Sequence, residues 1–249
     1  MRNFSELNYE FIRWKRTVNK KNRYFTRTGL LDLLYKYNPL FSYEVRRDDK
    51  FYRGRIFNID DIVSNNHQYV EWVNSNEKVF QGYNKEDSGA PSPNCAAEGR
   101  LNAKGISFLY TCNNEITVVY ELRPTREEIV SIATFMVNKN CRFADLTRYK
   151  SNKIMDARLS DLLRLIADEF STPHYAGHNY AFTQYLAGHF MNMGFEGIIF
   201  ESSLNPGGEN FVFFNPDDCE AISSRLFMVD DIIINSNPIS RIDFQHLDK

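Results

Sequence analysis

The chain has 249 residues, a length that suits one or two domains and is ample for a buried core. Hydrophobic residues make up 43% of the chain and charged residues 25%, which are ordinary values for a globular protein. No apolar run approaches the ~20 residues of a membrane helix, and the N-terminal sequence MRNFSELNYEF lacks the apolar stretch of a secretory signal. These features argue against a membrane protein or a secreted protein, and we expect a cytoplasmic one.

The net charge of −2 is spread unevenly along the chain. Residues 1–50 contain 12 Lys and Arg against 6 Asp and Glu, which gives this segment a net charge of +6 and leaves −8 for the rest. A basic arm could contact nucleic acid or an acidic partner. The favoured interpretation is a solvated helical surface, because runs of charge usually face water.

Helices are expected first. Residues 1–42 are predicted to be helical, with Thr28 as the cap of a helix that stops near Pro39. Residues 43–57 have a mixed, extended character. Residues 58–98 are polar and contain several glycine and proline breakers, so they are predicted to form an insertion that packs over the site or acts as a lid.

A run of short, apolar, β-rich segments follows, then two helices, then two more strands. The predicted strands cover residues 106–110, 116–122, 129–137, 142–146, 197–201 and 210–214. Between them, apolar side chains at helical spacing predict helices over 159–170 and 182–193, with Gly194 ending the second. This order of elements predicts an α+β fold.

The sequence predicts no metal site. None of its four cysteines has the spacing of a zinc site, and in the cytosol they are expected to be free thiols. These residues are Cys95, Cys112, Cys141 and Cys219. His174 and His178 are four residues apart, but the proline and glycine around them argue against a regular helix that would bring both onto one metal. His189 lies on an apolar helical stripe and is expected to be a packed core histidine.

Familiar nucleotide-binding and hydrolase signatures are absent, since the chain has no GxGxxG, GxxxxGK[ST] or GxSxG motif. Polar residues inside apolar segments are the remaining candidates. In ITVVYEL, read as a strand, Thr117, Val119 and Glu121 share one face. A buried carboxylate needs a partner because a lone buried charge is costly, so Glu121 is either functional or part of a structural ion pair.

Arginines could supply that partner. Arg100 stands in EGRLNAKG, while Arg53 and Arg55 stand in FYRGR. A guanidinium presents a planar fork of donors that matches phosphate or carboxylate. The segment IIFESS ends a predicted buried strand with hydroxyl groups before a glycine-rich loop, and backbone N–H groups in such loops can cradle phosphate.

These segments together resemble the RES domain. The shared pattern is an arginine after an aromatic residue, then G-R-x-N-x-x-G followed by a tyrosine, then a glutamate, then G-I-x-[YF]-x-S and a glycine-rich turn. In this chain it is carried by FYRGR, by SGAPSPNCAAEGRLNAKGISFLYTCNNEITVVYELRP and by NYAFTQYLAGHFMNMGFEGIIFESSLNPGGENFVFF. The resemblance covers residues 50–216 and points to a longer branch of the family with an inserted stretch.

The resemblance implies an ADP-ribosyltransferase-like fold, with a mixed β core and flanking helices. It implies a catalytic domain over residues 43–249 behind an N-terminal helical extension over residues 1–42. RES proteins consume NAD by hydrolysis, or by phosphorolysis to nicotinamide and ADP-ribose 1″-phosphate. Many are toxins inhibited by a partner with an Xre-like helix-turn-helix domain. The implied activity is therefore that of an NAD glycohydrolase or NAD phosphorylase, with NAD as substrate and inorganic phosphate as one acceptor.

The family's site residues are carried over by motif. Glu121 would stabilise positive charge that develops on the ribose, and the arginines would hold the pyrophosphate or an attacking phosphate. A tyrosine would stack on the nicotinamide, and Ser202, preferred over Ser203 for its G-I-x-F-x-S spacing, would bind a phosphate or ribose oxygen. The implied catalytic residues are Glu121, Arg53 and Ser202, and the implied NAD-binding residues are Arg100 and Tyr110.

Alternatives remain for the function and for single residues. The same cleft could transfer ADP-ribose to a macromolecule, or the chain could be a non-catalytic nucleic-acid-binding module, although the retained Arg, Tyr, Glu and Ser set argues against the latter. Arg53 could instead pair with Asp48 or Asp49. Tyr110 could be a core residue, and Ser202 could only cap the strand end.

Overall fold

The computed structural model of the chain describes residues 4–58, 82–151, 154–172 and 179–233. Within these ranges it has six α-helices and eight β-strands. The helices are α1 Phe4–Lys20, α2 Gly29–Tyr37, α3 Lys85–Ser88, α4 Glu115–Leu122, α5 Ala157–Ser171 and α6 Ala181–Asn192. The strands are β1 Ser42–Val45, β2 Lys50–Phe57, β3 Leu109–Cys112, β4 Ile129–Val137, β5 Cys141–Asp145, β6 Gly197–Glu201, β7 Glu209–Phe213 and β8 Cys219–Met228. An α+β fold with a β core and flanking helices is confirmed.

The eight strands form one mixed sheet in the order β1-β5-β6-β7-β3-β2-β4-β8. All neighbouring strands are antiparallel except β5 and β6, which are parallel. The centre of the sheet therefore brings β6, β7, β3 and β2 side by side, although β2 is far from β6 and β7 in sequence. This order gathers candidate residues from separate segments into one region.

Alternate side chains of the central strands face two different cores. On β7, Phe211 and Phe213 belong to a cluster made of strand residues, whereas Val212 packs with the helices. The strand cluster also contains Val45 of β1 and Ala221 of β8, which are the two edge strands. The sheet therefore curls around an apolar core of its own.

Helices α1, α2, α5 and α6 cover the other face and share one core. Trp14 of α1 meets Phe182 of α6 edge to face, with ring centroids 5.2 Å apart. An ion pair between Lys15 Nζ and Glu169 Oε1, 2.7 Å apart, joins α1 to α5. The described part of the predicted N-terminal extension thus contains two α-helices joined by a non-helical stretch over residues 21–28, and it contributes to the main core.

Several elements lie where the sequence predicts them. Strands β4 and β6 coincide with the predicted ranges, α5 contains the first predicted apolar stripe, and α6 contains the second except for Met193, which follows its last residue. Thr28 caps α2 as predicted, since its side-chain oxygen accepts a hydrogen bond from the N–H of Leu31 at 3.3 Å. Gly194 follows α6 with φ +81, a left-handed conformation that glycine adopts without a steric penalty.

The strand predicted over residues 116–122 is wrong, because this segment is helix α4. Asn114 caps it by accepting a hydrogen bond from Thr117 N–H at 2.8 Å, and Arg123 ends it in the left-handed conformation. The apolar, β-branched sequence suggested a strand, but an asparagine cap and side chains repeating every three to four residues favour a helix. Thr117 and Glu121 still share a face, now because they are one helical turn apart.

Other differences concern element boundaries. Strand β3 begins at Leu109, later than predicted, and β8 was not predicted. The predicted insertion over 58–98 is described only at residue 58 and from residue 82 onward, where it includes the short helix α3. His174 and His178 lie outside the described residues. None of the helices in the described ranges is long and apolar enough to cross a membrane.

Candidate active site

A cavity of about 280 Å³ lies between helix α4, the C-terminal end of α5 and the central strands of the sheet. Four of the five site residues predicted from the sequence line it together: Arg53, Arg100, Tyr110 and Glu121. At the end of β6 the lining serine is Ser203, and the described lining does not include Ser202. The cavity volume is close to the lower end of the range for small-molecule sites.

Arg100 brings to this cavity a guanidinium with one unsatisfied nitrogen. Its Nη1 atom is buried and has no hydrogen-bond partner among the described residues. The guanidinium carbon lies 5.9 Å from the centre of the Phe200 ring. Burial lowers the pKa of Arg100, while Tyr180 and, to a smaller extent, the charge of Glu121 act in the opposite direction. A buried cationic donor without a partner is costly, so an anionic ligand in the cavity would stabilise it.

Arg53 is held by backbone carbonyls. Its Nη1 donates to the oxygens of Ser88 at 2.7 Å and Gly89 at 2.8 Å, and Arg55 Nη2 donates to the Gly89 oxygen at 3.0 Å. Burial, with a smaller contribution from Arg55, lowers the pKa of Arg53 to about 10, so it is still charged at neutral pH. Asp49, one alternative partner, instead accepts a hydrogen bond from a backbone N–H. Among the described residues, Arg53 therefore bonds to neutral carbonyls, which leave its positive charge uncompensated beside the cavity.

Tyr110 anchors the segment that carries Arg100. Its hydroxyl donates to Asn102 Oδ1 at 2.7 Å and accepts from the N–H of Leu101 at 3.1 Å. Gln184 of α6 donates to the Asn102 carbonyl at 3.0 Å and so ties the same turn to the helices. Burial raises the pKa of Tyr110, which keeps its hydroxyl protonated. The hydroxyl therefore serves the turn, and the ring lines the cavity.

Glu121 lies in the last turn of α4, and its side chain is exposed to the cavity opening. Its Oε1 accepts a hydrogen bond from Asn210 Nδ2 at 2.9 Å. The opposite end of that amide, Asn210 Oδ1, accepts from the Cys112 thiol at 3.3 Å. Burial raises the pKa of Cys112 to about 12, with a further contribution from the Glu121 charge. Asn210 and Cys112, neither of which was predicted, therefore form the immediate surroundings of the carboxylate.

Ser202 holds the glycine-rich turn together. Its Oγ accepts hydrogen bonds from the N–H groups of Leu204 at 3.2 Å and Asn205 at 3.1 Å. Asn205 Nδ2 in turn donates to Thr117 Oγ1 of helix α4 at 2.8 Å. This is the strand-end capping that the sequence left as the alternative role for Ser202. The G-I-x-F-x-S spacing identified the loop, and within this loop Ser203 lines the cavity while Ser202 is buried.

The wall opposite α4 combines apolar and acidic groups. Phe170 of α5 and Phe200 of β6 contact each other with ring centroids 5.8 Å apart, and both line the cavity. Glu201 follows Phe200 and pairs with Lys150 outside the wall. The cavity is thus lined by two arginines, by the carboxylate of Glu121 and by an aromatic pair.

One cluster of potential metal ligands occurs in the described ranges, away from this cavity. It consists of Cys141, Glu196 and Asp218. The ammonium of Lys139 lies 2.8 Å from Glu196 Oε1 and 3.1 Å from Asp218 Oδ1. These carboxylates are therefore already neutralised by a lysine, which occupies the position that a cation would take.

The RES domain family model matches residues 78–230 of the chain. The chain belongs to the RES domain family. No curated protein matches it significantly. Among solved structures, a chain from the crystal structure of the M. tuberculosis MbcT–MbcA toxin–antitoxin complex is similar, with a TM-score of 0.45 and 11% sequence identity. The similarity covers 81% of this chain and 93% of that chain.

The RES match includes three of the four predicted residues that line the cavity, namely Arg100, Tyr110 and Glu121. Arg53 precedes the matched range and reaches the cavity from β2, which pairs with β3 and β4. The RES domain of this chain is therefore completed by a strand from outside the matched residues.

Proposed function

We propose that this RES-domain protein cleaves the bond between nicotinamide and ribose in NAD. The observation that carries the proposal is the buried Arg100 Nη1, which lacks a partner among the described residues and shares one cavity with the carboxylate of Glu121. NAD brings a pyrophosphate that matches an unpaired guanidinium, and its cleavage creates positive charge that a carboxylate stabilises.

In the proposed reaction, the electron pair of the glycosidic bond leaves with nicotinamide, which departs as a neutral molecule and needs no general acid. Positive charge then develops on the ribose, and Glu121 stabilises it electrostatically and holds a ribose hydroxyl. Water or inorganic phosphate adds to the same carbon. Water gives up a proton and yields ADP-ribose, whereas phosphate yields ADP-ribose 1″-phosphate.

The other lining residues take supporting roles in this proposal. Arg100 binds phosphate oxygens, and Arg53 adds a second positive charge in the same cavity. The ring of Tyr110 stacks on the nicotinamide, while its hydroxyl continues to hold the turn at Asn102. Ser203 takes the place beside the substrate, and Ser202 acts indirectly by shaping the loop.

Its family also suggests a biological setting. Many RES domains are toxins inhibited by a protein partner, and we propose that this chain is a cytoplasmic toxin that depletes NAD and is inhibited by an Xre-like antitoxin. Depletion of NAD would stop growth when the toxin is expressed alone. Co-expression of the cognate antitoxin would restore growth.

The deciding experiment is NAD consumption by the purified protein, with and without inorganic phosphate, with the products separated by chromatography. Loss of NAD only when phosphate is present would indicate a phosphorylase, and loss without phosphate a glycohydrolase. Incubation with labelled NAD and cell lysate tests transfer to a macromolecule. Intact NAD under all three conditions would contradict the proposal.

A further inference from the structure

Glu121 lies at the end of helix α4, and this position does little to restrict the orientation of its carboxylate. Helix α4 ends at Leu122, and Arg123 turns away in the left-handed conformation. The Glu121 side chain is exposed and has three rotatable bonds, so without a partner it would sample several rotamers. Within the part of the chain that the structure describes, the hydrogen bond from Asn210 Nδ2, at 2.9 Å, is the contact that orients it.

Asn210 is well placed to give that orientation because its backbone lies in the centre of the sheet. On β7 its Cα pairs with Cys112 of β3 on one side and with Phe200 of β6 on the other. A residue whose strand is paired with neighbours on both sides has little freedom to move. Glu121, at the end of a helix, therefore meets a donor fixed by the sheet.

The direction of the Asn210 amide is also determined. Its Oδ1 accepts a hydrogen bond from the Cys112 thiol at 3.3 Å. Burial raises the pKa of this thiol to about 12, so at neutral pH it is protonated and donates. A donating thiol requires the oxygen of the amide to face it, and the NH₂ group is then directed at Glu121.

We propose that Asn210 is a positioning residue for the cleavage of NAD assigned above, fixing the carboxylate of Glu121 while Cys112 fixes the direction of the amide. The catalytic role of Asn210 in this inference rests on the proposed function, the cleavage of NAD. Its physical basis is preorganisation: an electrostatic group lowers a barrier most when it need not reorient during the reaction. The hydrogen-bonded series Cys112–Asn210–Glu121 supplies that fixed geometry, with its members on β3, β7 and α4.

A positioning role predicts a specific kinetic pattern. Replacing Asn210 by alanine should lower kcat by ~10- to 100-fold and change KM for NAD by less than ~3-fold, because substrate binding is left in place. In a Glu121→Gln background, the Asn210→Ala change should cost less than ~2-fold more, since there is no carboxylate left to position. Asn138→Ala is the matched control, because Asn138 makes a comparable exposed hydrogen bond to the Asp217 carbonyl.

Variants of Cys112 test the hydrogen bond between its thiol and Asn210 Oδ1. Cys112→Ser retains a donor and should keep kcat within ~3-fold of the wild type. Cys112→Ala removes the donor, lets the amide rotate, and should lower kcat by ~3- to 10-fold at an unchanged KM. All variants are compared by thermal unfolding, so that a loss of folded protein is not counted as a loss of kcat.

A direct spectroscopic measurement accompanies the kinetics. The side-chain NH₂ signals of Asn210 are assigned by their absence from the ¹H–¹⁵N spectrum of the Asn210→Ala protein. They are expected to shift in the Glu121→Gln protein and to stay unchanged in the Asn138→Ala control. Unmoved signals, or independent, multiplicative effects of the Asn210 and Glu121 changes on kcat, would overturn the proposal. If the wild type leaves NAD intact while the signals do shift, the proposed function fails but the pairing of Asn210 with Glu121 stands.

Discussion

Gly54 of strand β2 lies directly against Val118 of helix α4. A Cβ atom built on Gly54 would be 2.5 Å from Val118 Cγ1 and 2.8 Å from Leu122 Cδ1, distances that real side chains do not tolerate. The helix that carries Glu121 can therefore approach the sheet only because this strand residue has no side chain. The glycine of the FYRGR segment thus sets the distance between Arg53 and the helix of Glu121.

Replacing Gly54 by alanine should push α4 away from β2. We expect a loss of about 1–3 kcal/mol in the free energy of unfolding, the range for an overpacked core, and a larger fall in NAD turnover than in stability-matched variants. Gly188→Ala is the control, because a Cβ on that helical glycine would meet nothing within 4 Å. That control should gain about 0.5–1 kcal/mol, and equal stability of the two variants would contradict the close packing seen here.

Glu121→Gln removes the charge while keeping the size of the side chain. The Asn210 amide can still donate to the glutamine oxygen, so the fold should be preserved. We expect kcat for NAD to fall by at least ~100-fold, the scale for losing one preorganised electrostatic group. Glu44→Gln, an exposed glutamate on β1, serves as the control. Unchanged NAD turnover in folded Glu121→Gln protein would remove Glu121 from the mechanism.

Arg100→Met separates binding from stability. Loss of the guanidinium should raise KM for NAD by ~10- to 100-fold, the range for a hydrogen bond to a charged group. The same change removes a buried donor without a partner among the described residues, so the ligand-free protein should unfold at a higher temperature than the wild type. Arg47→Ala, on the exposed β1–β2 connection, should change neither quantity. A lower unfolding temperature for Arg100→Met would mean that the guanidinium supports the fold.

The two serines after β6 should respond differently to alanine. Ser202→Ala leaves the N–H groups of Leu204 and Asn205 without their acceptor, and should cost about 1–3 kcal/mol in the free energy of unfolding. Ser203→Ala should leave stability within about 0.5 kcal/mol and raise KM for NAD. Denaturant unfolding and steady-state kinetics of both variants measure these effects. A raised KM in Ser202→Ala together with a loss of stability in Ser203→Ala would place Ser202 beside the substrate.

His189 should make the stability of the fold depend on pH. Burial, together with the charge of Arg27, lowers its pKa in the folded state below the value of about 6.5 expected in the unfolded chain. Between these two pKa values the unfolded state therefore binds more protons than the folded state. The contribution of His189 to the free energy of unfolding is full above about pH 6.5 and is lost as the pH falls through the folded pKa. The dependence of unfolding free energy on pH between 7.5 and 5 should be shallower in His189→Gln, and an unchanged slope would exclude this group as its source.

Local patterns were sufficient for much of the helical half of the fold. Apolar side chains at helical spacing identified α5 and α6, and Thr28 marked the start of α2. Both signals can be read from the sequence because caps and helical periodicity depend on residues that are close together along the chain. The α4 segment was misread since its β-branched residues favour a strand over a short stretch, whereas the Asn114 cap and packing on Gly54 stabilise a helix. Strand β8 was missed because it is an edge strand with a weak pattern of its own.

For the candidate site, too, the sequence determined some features and the tertiary structure decided others. The sequence alone determined the family and the residues whose type matters, namely Arg53, Arg100, Tyr110 and Glu121, since these stand within short recognisable motifs. Only the tertiary structure decided that Ser203 faces the cavity, that Ser202 holds the turn, and that Asn210 orients the carboxylate. The physical reason is that motifs fix residue types at short range, whereas side-chain direction and partners depend on strand register and helix packing between distant segments.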